Sequence, residues 1–238
     1  MAKKSNNLFL ILGIGCAVLL LVAGLGVVGI GYFGMRQIKE IEQSMKNPEE
    51  VARQVLGVEQ LPEGYYAQLA MKIPFLMQVV QISDVVKPDE QTVLAGNNGL
   101  FYFSMSFSPG DKNELRDFFE GRSENPLNLS RNGIQMEVGE VLDRGKLTVN
   151  GQDFLYLTYR GDVQMDQGGA KDGLNSMFLV ECSSSSNALR FGFRYGPDPA
   201  PDVPAADLDL TTTINHPDQL TQFLEQFNFC KGQAPSGP

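Results

Sequence analysis

The sequence predicts an α+β domain carried on a single membrane helix, and three observations predict it. The run Leu8–Phe33 holds 26 residues without a charge. Beyond it, apolar residues recur at period two in several short stretches bounded by Asn, Gly and Pro, the mark of strands and turns. Two later segments switch to helical spacing, so strands and helices are segregated rather than alternating as βα units.

At about 1.5 Å per residue the uncharged run would reach about 39 Å as a helix, more than the ~30 Å hydrocarbon core. A cleaved leader has a shorter apolar stretch of about 7–15 residues. Leu12-Gly13-Ile14-Gly15-Cys16 resembles a lipoprotein signal, but Leu12 stands four places before Cys16 where such a signal has it three before. The expectation is an uncleaved transmembrane helix over 8–34 behind a basic tail, 1–7, with a helical stalk over 35–57, a folded domain over 58–230 and a disordered tail over 231–238. Lys3 and Lys4 face Arg36, Lys39 and Lys46 across the run, so the positive-inside count is nearly even. The short lysine tail resembles the start of a signal anchor, which places the N-terminus inside and the domain outside the cytoplasm. Within the run Gly13, Ala17, Gly24 and Gly31 fall on one side of a helix, a small-residue face on which two copies could pair.

The stalk reads as two helical pieces, Met35–Met45 and Pro48–Leu56. Asn47, Pro48, Glu49 and Glu50 supply a cap, a fixed φ and acids at the positive end of the helix dipole, and Gly57 is the stop. From Gly64 the period becomes two: Tyr65, Ala67, Leu69, Met71 and Ile73 form the expected buried face of a strand that Pro74 closes. Phe75–Ile82 is apolar on both faces and reads as a central strand. Phe101, Phe103, Met105 and Phe107 then alternate with Tyr102, Ser104, Ser106 and Ser108, one face of which must be core.

Asp111 and Glu114 resemble a capping box ahead of Leu115, Phe118 and Phe119, a helical stripe that Gly121 ends. Strands are expected over Ile134–Val141, Lys146–Val149 and Gln152–Arg160. Asn150-Gly151 is the strongest hairpin signal, because both residues tolerate the positive φ of a type I′ turn. Further strands follow over Ser176–Cys182 and Leu189–Tyr195. Pro197, Pro199, Pro201 and Pro204 exclude a central strand and predict an extended, mobile connection. A last helix starts near Asn215 and Pro217 and carries Leu220, Phe223, Leu224 and Phe227. The resulting picture is a mostly antiparallel sheet that buries one face under the helices 111–120 and 217–228.

Chemical signatures are few. Cys182 and Cys230 are the only cysteines outside the apolar run, and with no C-x-x-C spacing they read as one long-range disulfide or as two buried thiols. His216, the sole histidine, excludes multi-histidine metal sites and reads as a helix cap or surface residue. Ser183–Ser186 lack a G-x-S-x-G elbow, so a serine mechanism has no scaffold. Asp162, Asp166 and Asp172 lie in a glycine-bearing loop but miss the EF-hand spacing, so a solvated loop outweighs calcium. Asn128-Leu129-Ser130 fits a glycosylation sequon, a match that short stretches often give by chance. Arg160, Arg190 and Arg194 fall on expected strands; if these are neighbours, their outward face is a cationic stripe for an acidic peptide or polymer, and cross-strand pairing with acids such as Glu181 is the competing role.

After Lys4, 17 basic residues stand against 28 acids, a surface that repels nucleic acid and anionic headgroups. The function expected is non-catalytic: an anchored extracytoplasmic module that contacts lipid through its helix, binds a protein or envelope polymer, and needs no cofactor. The competing reading is an envelope hydrolase using carboxylates or a serine, which requires a concave polar pocket around them.

Overall fold

A computed structural model describes residues 47–73, 77–85, 97–106, 109–123, 138–161, 173–182 and 188–231. The membrane run with Gly13, Ala17, Gly24 and Gly31, the first stalk piece, Asp162, Asp166, Asp172 and the Asn128 sequon lie outside these residues. No helix among the described residues is long and apolar enough to cross a membrane.

The elements are α1 (Pro48–Leu56), β1 (Tyr66–Ile73), β2 (Met77–Ser83), β3 (Gly99–Ser106), α2 (Pro109–Phe119), β4 (Glu140–Val149), β5 (Gln152–Gly161), β6 (Gly173–Glu181), β7 (Ala188–Pro197) and α3 (Pro217–Leu224), with short 3-10 turns at Ala205–Asp207 and Leu210–Thr212. The seven strands form one antiparallel sheet in the order β1-β2-β3-β7-β6-β5-β4. Two meanders, β1–β3 and β4–β7, therefore meet at the β3–β7 seam. The chain reaches the far edge after α2 and works back to the centre, and the α+β class holds.

Both faces of the sheet are buried, which corrects the expectation of one. On the first face, Phe101 and Phe103 of β3, Leu155, Leu157 and Tyr159 of β5, and Leu189, Phe191, Phe193 and Tyr195 of β7 pack with Leu115, Phe118 and Phe119 of α2. On the second, Leu100, Tyr102, Phe154, Tyr156, Phe178 and Val180 pack with Leu220, Phe223 and Leu224 of α3 and with Phe227 and Phe229. The two expected covering helices thus lie on opposite faces. With both faces covered, β6 is buried on both sides from Gly173 to Val180, and its polar Asn175 and Ser176 are hydrogen-bonded there.

Pro48–Leu56, read from the sequence as the second stalk piece, packs on the second face through Ala52, Val55 and Leu56. Its end is fastened to the far C-terminus. Gly57 has φ +69°, a Cβ there would sit 2.1 Å from the Asn228 carbonyl oxygen, and the Asn228 N–H donates to the Leu56 carbonyl at 2.9 Å. Asn47 does not cap the helix backbone; its amide donates to Glu50 at 2.8 Å.

Bulges account for two further differences. In β1 the register shifts between Ala67 and Leu69, so Ala67 and Ala70 face the same core although three residues apart, while Leu69 is 37 % exposed. The face expected from strict alternation is thereby lost beyond the bulge. In β4 the shift falls between Val141 and Asp143, and Glu140–Val149 is one strand where the sequence suggested two. Residues 134–137 of the first of those two lie outside the described residues. The β4–β5 hairpin turns at Asn150 and Gly151, with φ of 51° and 72°, as a type I′ turn requires.

Candidate functional site

The three arginines singled out by the sequence all sit on the second face of the sheet, the face of Phe154, Tyr156 and Tyr102. That face is covered, so no outward cationic stripe forms. Arg190 and Arg194 retain only 2 % and 8 % exposure. β6 also lies between β5 and β7, which separates Arg160 from the other two.

Arg194 fastens α3. Its Nη1 donates to the carbonyls of Ile214 at 2.8 Å and Gln219 at 3.0 Å, and its guanidinium lies 4.1 Å from the centre of the Phe223 ring. Burial pulls its pKa down, and the neighbouring Tyr65 hydroxyl opposes that shift. Arg160 fastens the proline-rich segment: its Nε pairs with Asp198 at 2.6 Å, and its Nη atoms donate to the carbonyls of Val203 and Ala200. Asp198 is itself buried and accepts from the Ala200 N–H at 2.9 Å. The stretch expected to be a mobile connection is therefore clasped to the sheet. The physical reason is that prolines expose carbonyls without donors of their own, and a guanidinium can collect several of them.

Between these clasps lies a buried polar chain. Thr158 and Ser176 hydroxyls meet at 2.8 Å, Ser176 donates to Asn215 Oδ1 at 3.0 Å, and Asn215 Nδ2 donates to the Leu174 carbonyl at 2.6 Å. His216 follows as the N-cap of α3, its ring Nδ1 accepting from the Asp218 N–H at 3.4 Å, with Pro217 at the first helical position. These groups hold a corner of the chain; their partners are carbonyls and one another.

Cys182, just past β6, is bonded to Cys230, just past α3, with the Cα atoms 5.7 Å apart. Of the two roles open to these cysteines, the fold has the disulfide. It ties the centre of the sheet to the segment that covers the second face.

Next to Cys182 the structure has a cavity of about 260 Å³. Lys112, Asn113 and Arg116 of α2 form one wall, residues 179–182 the second and residues 188–190 the third. Arg116 forms an ion pair with Glu181, half exposed on the arginine side. Burial pulls the Lys112 pKa down, and the nearby Arg190 and Arg116 charges pull it further. Burial likewise lowers Arg190, with Tyr102 acting against it. Of the three predicted arginines only Arg190 reaches this cavity. Lys112 and Arg116 were missed because they lie on a helix, as ordinary solvated charges do, and only the packing of α2 on the sheet places them at the cavity.

A scan against protein-family models finds no match, and a search of curated proteins finds none. No family assignment follows.

Function therefore rests on the site alone. Among the described residues no three His, Cys, Asp or Glu side chains gather as a metal would need. His216 is engaged as a cap and is not among the residues lining the cavity. Among the described residues, the charged and amide-bearing ones that line the cavity are Lys112, Arg116, Arg190, Glu181 and Asn113.

Proposed function

We propose that this protein is a single-pass membrane protein whose extracytoplasmic domain is a non-catalytic binding module. The observation that carries the reading is the Cys182–Cys230 disulfide, because such bonds persist in oxidising compartments and are rare in the cytosol. The uncharged run Leu8–Phe33, with Lys3 and Lys4 ahead of it, supports an anchor with its N-terminus inside. The cavity beside Cys182 supports binding, since its polar groups are arranged around a concave space rather than spread over a flat face. In this reading the anchor fixes the domain near the bilayer, and the domain holds a partner or an envelope polymer through that cavity.

The test is thiol labelling of intact cells expressing the full chain with Cys16→Ser. A membrane-impermeant maleimide is expected to leave the protein unlabelled until a reductant is added, and then to modify Cys182 and Cys230 from outside. Labelling without reductant, or labelling that needs the cells to be broken open, overturns the sidedness and with it the reading.

A further inference from the structure

The dipeptide Asn-Gly occurs three times in the chain, at Asn98-Gly99, Asn132-Gly133 and Asn150-Gly151. The second lies outside the described residues, and the fold puts the other two in opposite settings. We propose that Asn150 is a site of spontaneous covalent modification, at which the side-chain amide is lost through a cyclic imide and the end of α3 is released as a result. Nothing in this chemistry depends on a binding partner.

The reaction needs only solvent. The Gly151 backbone nitrogen gives its proton to water or hydroxide and attacks Cγ of Asn150. The N–Cγ bond forms, the Cγ–Nδ2 bond breaks, and Nδ2 leaves as ammonia, taking up a proton from solvent. Water then opens the five-membered imide. Addition at Cγ leaves an aspartate at position 150, and addition at the backbone carbonyl carbon leaves an isoaspartyl link in which the chain runs through Cγ. Either way one water is consumed and one ammonia is released. A following glycine favours the first step, because it has no side chain to obstruct the approach of its nitrogen.

At Asn150 the fold leaves that approach open. Asn150 and Gly151 are both exposed and lie beyond the last paired residues of the hairpin, Val149 and Gln152. A Cβ at Gly151 would meet nothing within 4 Å. The Asn150 side chain is held by the bond from Nδ2 to the Glu225 carbonyl at 2.8 Å, an exposed contact that water can replace. At Asn98 the approach is blocked. Gly99 opens β3 between β2 and β7, paired with Ser83 and Tyr195, and a Cβ there would run into the Tyr195 ring. The Asn98 backbone N–H and Nδ2 both donate to Asp84 Oδ2 at 3.1 Å, and the Asn98 carbonyl accepts from the Asp84 N–H at 3.1 Å.

The consequence follows from what Asn150 touches. Glu225 is the C-cap of α3, at the end where helix carbonyls lack intrahelical donors and the dipole is negative. The amide supplies a donor there. A carboxylate at position 150 has no proton to give at neutral pH and sets a negative charge against the carbonyl. Asp-Gly suits a type I′ turn as Asn-Gly does, so the aspartate product frees α3 while the hairpin stays. The isoaspartyl product also lengthens the two-residue loop.

The experiment ages the full-length protein in a neutral detergent at mildly alkaline pH and follows each Asn-Gly pair by peptide mass spectrometry after rapid digestion at low pH. Conversion at Asn150 is expected to be at least about tenfold faster than at Asn98, and in the reduced, denatured chain the two are expected to convert at similar rates. Asn150→Gln, whose longer side chain must close a six-membered ring, is expected to abolish conversion at this position. Asn150→Asp reads the consequence: hydrogen exchange in residues 220–229 is expected to rise by about fivefold while the β4–β5 ladder keeps its protection. The site is overturned if Asn150 converts no faster than Asn98 in the folded protein, or if the denatured chain keeps the same gap. Unchanged exchange in α3 of the Asn150→Asp variant overturns the release.

Discussion

At the scale of single residues, Arg194 shows how a buried cation is made tolerable. A lone guanidinium would lose several kcal/mol on leaving water, but two carbonyls and an aromatic face replace much of that solvation. Arg194→Met keeps most of the apolar volume and removes the donors, which strands the Ile214 and Gln219 carbonyls. It is expected to lower unfolding stability by about 2–3 kcal/mol, read from chemical denaturation followed by circular dichroism. Glycine supplies a second residue-scale test. Gly57 and Gly64 both have positive φ, but a Cβ at Gly57 meets backbone 2.1 Å away whereas one at Gly64 meets nothing within 4 Å. Gly64→Ala is expected to cost about 1 kcal/mol from conformation alone. Gly57→Ala is expected to cost at least twice that, because α1 and the C-terminal segment must also move apart. Equal melting shifts in the two variants would show that the Gly57–Asn228 contact does not constrain the chain.

At the scale of elements, the second face of the sheet is covered by pieces that would not stay there by local propensity. α3 has eight residues and α1 nine, both shorter than the ~12–15 residues at which isolated helices become even marginal in water. Tertiary fastenings hold them: Arg194 and the Asn215 corner for α3, the Leu56–Asn228 bond for α1, and the disulfide for the chain end. The disulfide spans 48 positions of sequence, and closing such a loop contributes about 4 kcal/mol in the chain-entropy model. Since whole domains are stable by only about 5–15 kcal/mol, this bond is a large share of the total. Reduction, or Cys182→Ser with Cys230→Ser, is therefore expected to lower the denaturation midpoint strongly. The Phe227 and Phe229 region should gain hydrogen exchange before the centre of β6 does. Uniform loss of protection across the sheet would mean that the covering segment and the sheet unfold as one unit.

At the scale of the whole molecule, burial on both faces fixes the pH response. Four of the seven tyrosines, Tyr102, Tyr156, Tyr159 and Tyr195, have pKa values raised by burial, with Tyr195 pushed up to about 12. The folded state keeps protons that the unfolded chain releases near pH 10, so this contribution is fully present below about pH 10 and is lost as pH rises through the folded values. Stability is expected to fall above about pH 10, with part of the tyrosinate absorbance appearing only with the unfolding transition. A smooth titration of Tyr102, Tyr156, Tyr159 and Tyr195 near pH 10 in the folded protein would contradict the burial. Much of this architecture was legible beforehand. The strand positions, the Asn150-Gly151 hairpin, the α2 and α3 stripes and the isolated cysteine pair all depend on neighbours a few residues away, and local spacing encodes them. Misread features depend on distant partners: the β1 bulge reversed the parity of Leu69 and Ala70, and α1 looked like a stalk because the surface that covers it comes from β1, β2 and residues 227–229. The arginines looked like an outward stripe because their partners, the carbonyls of Val203, Ile214 and Gln219, are 20 to 43 positions away. By itself, then, the sequence determined which segments become strands and helices and that an uncharged run precedes them, since periodicity and charge act locally along the chain. Only the tertiary structure decided which faces are buried, which cations clasp backbone and which gather at the cavity, because the energy of a buried charge is set by whatever the fold brings beside it.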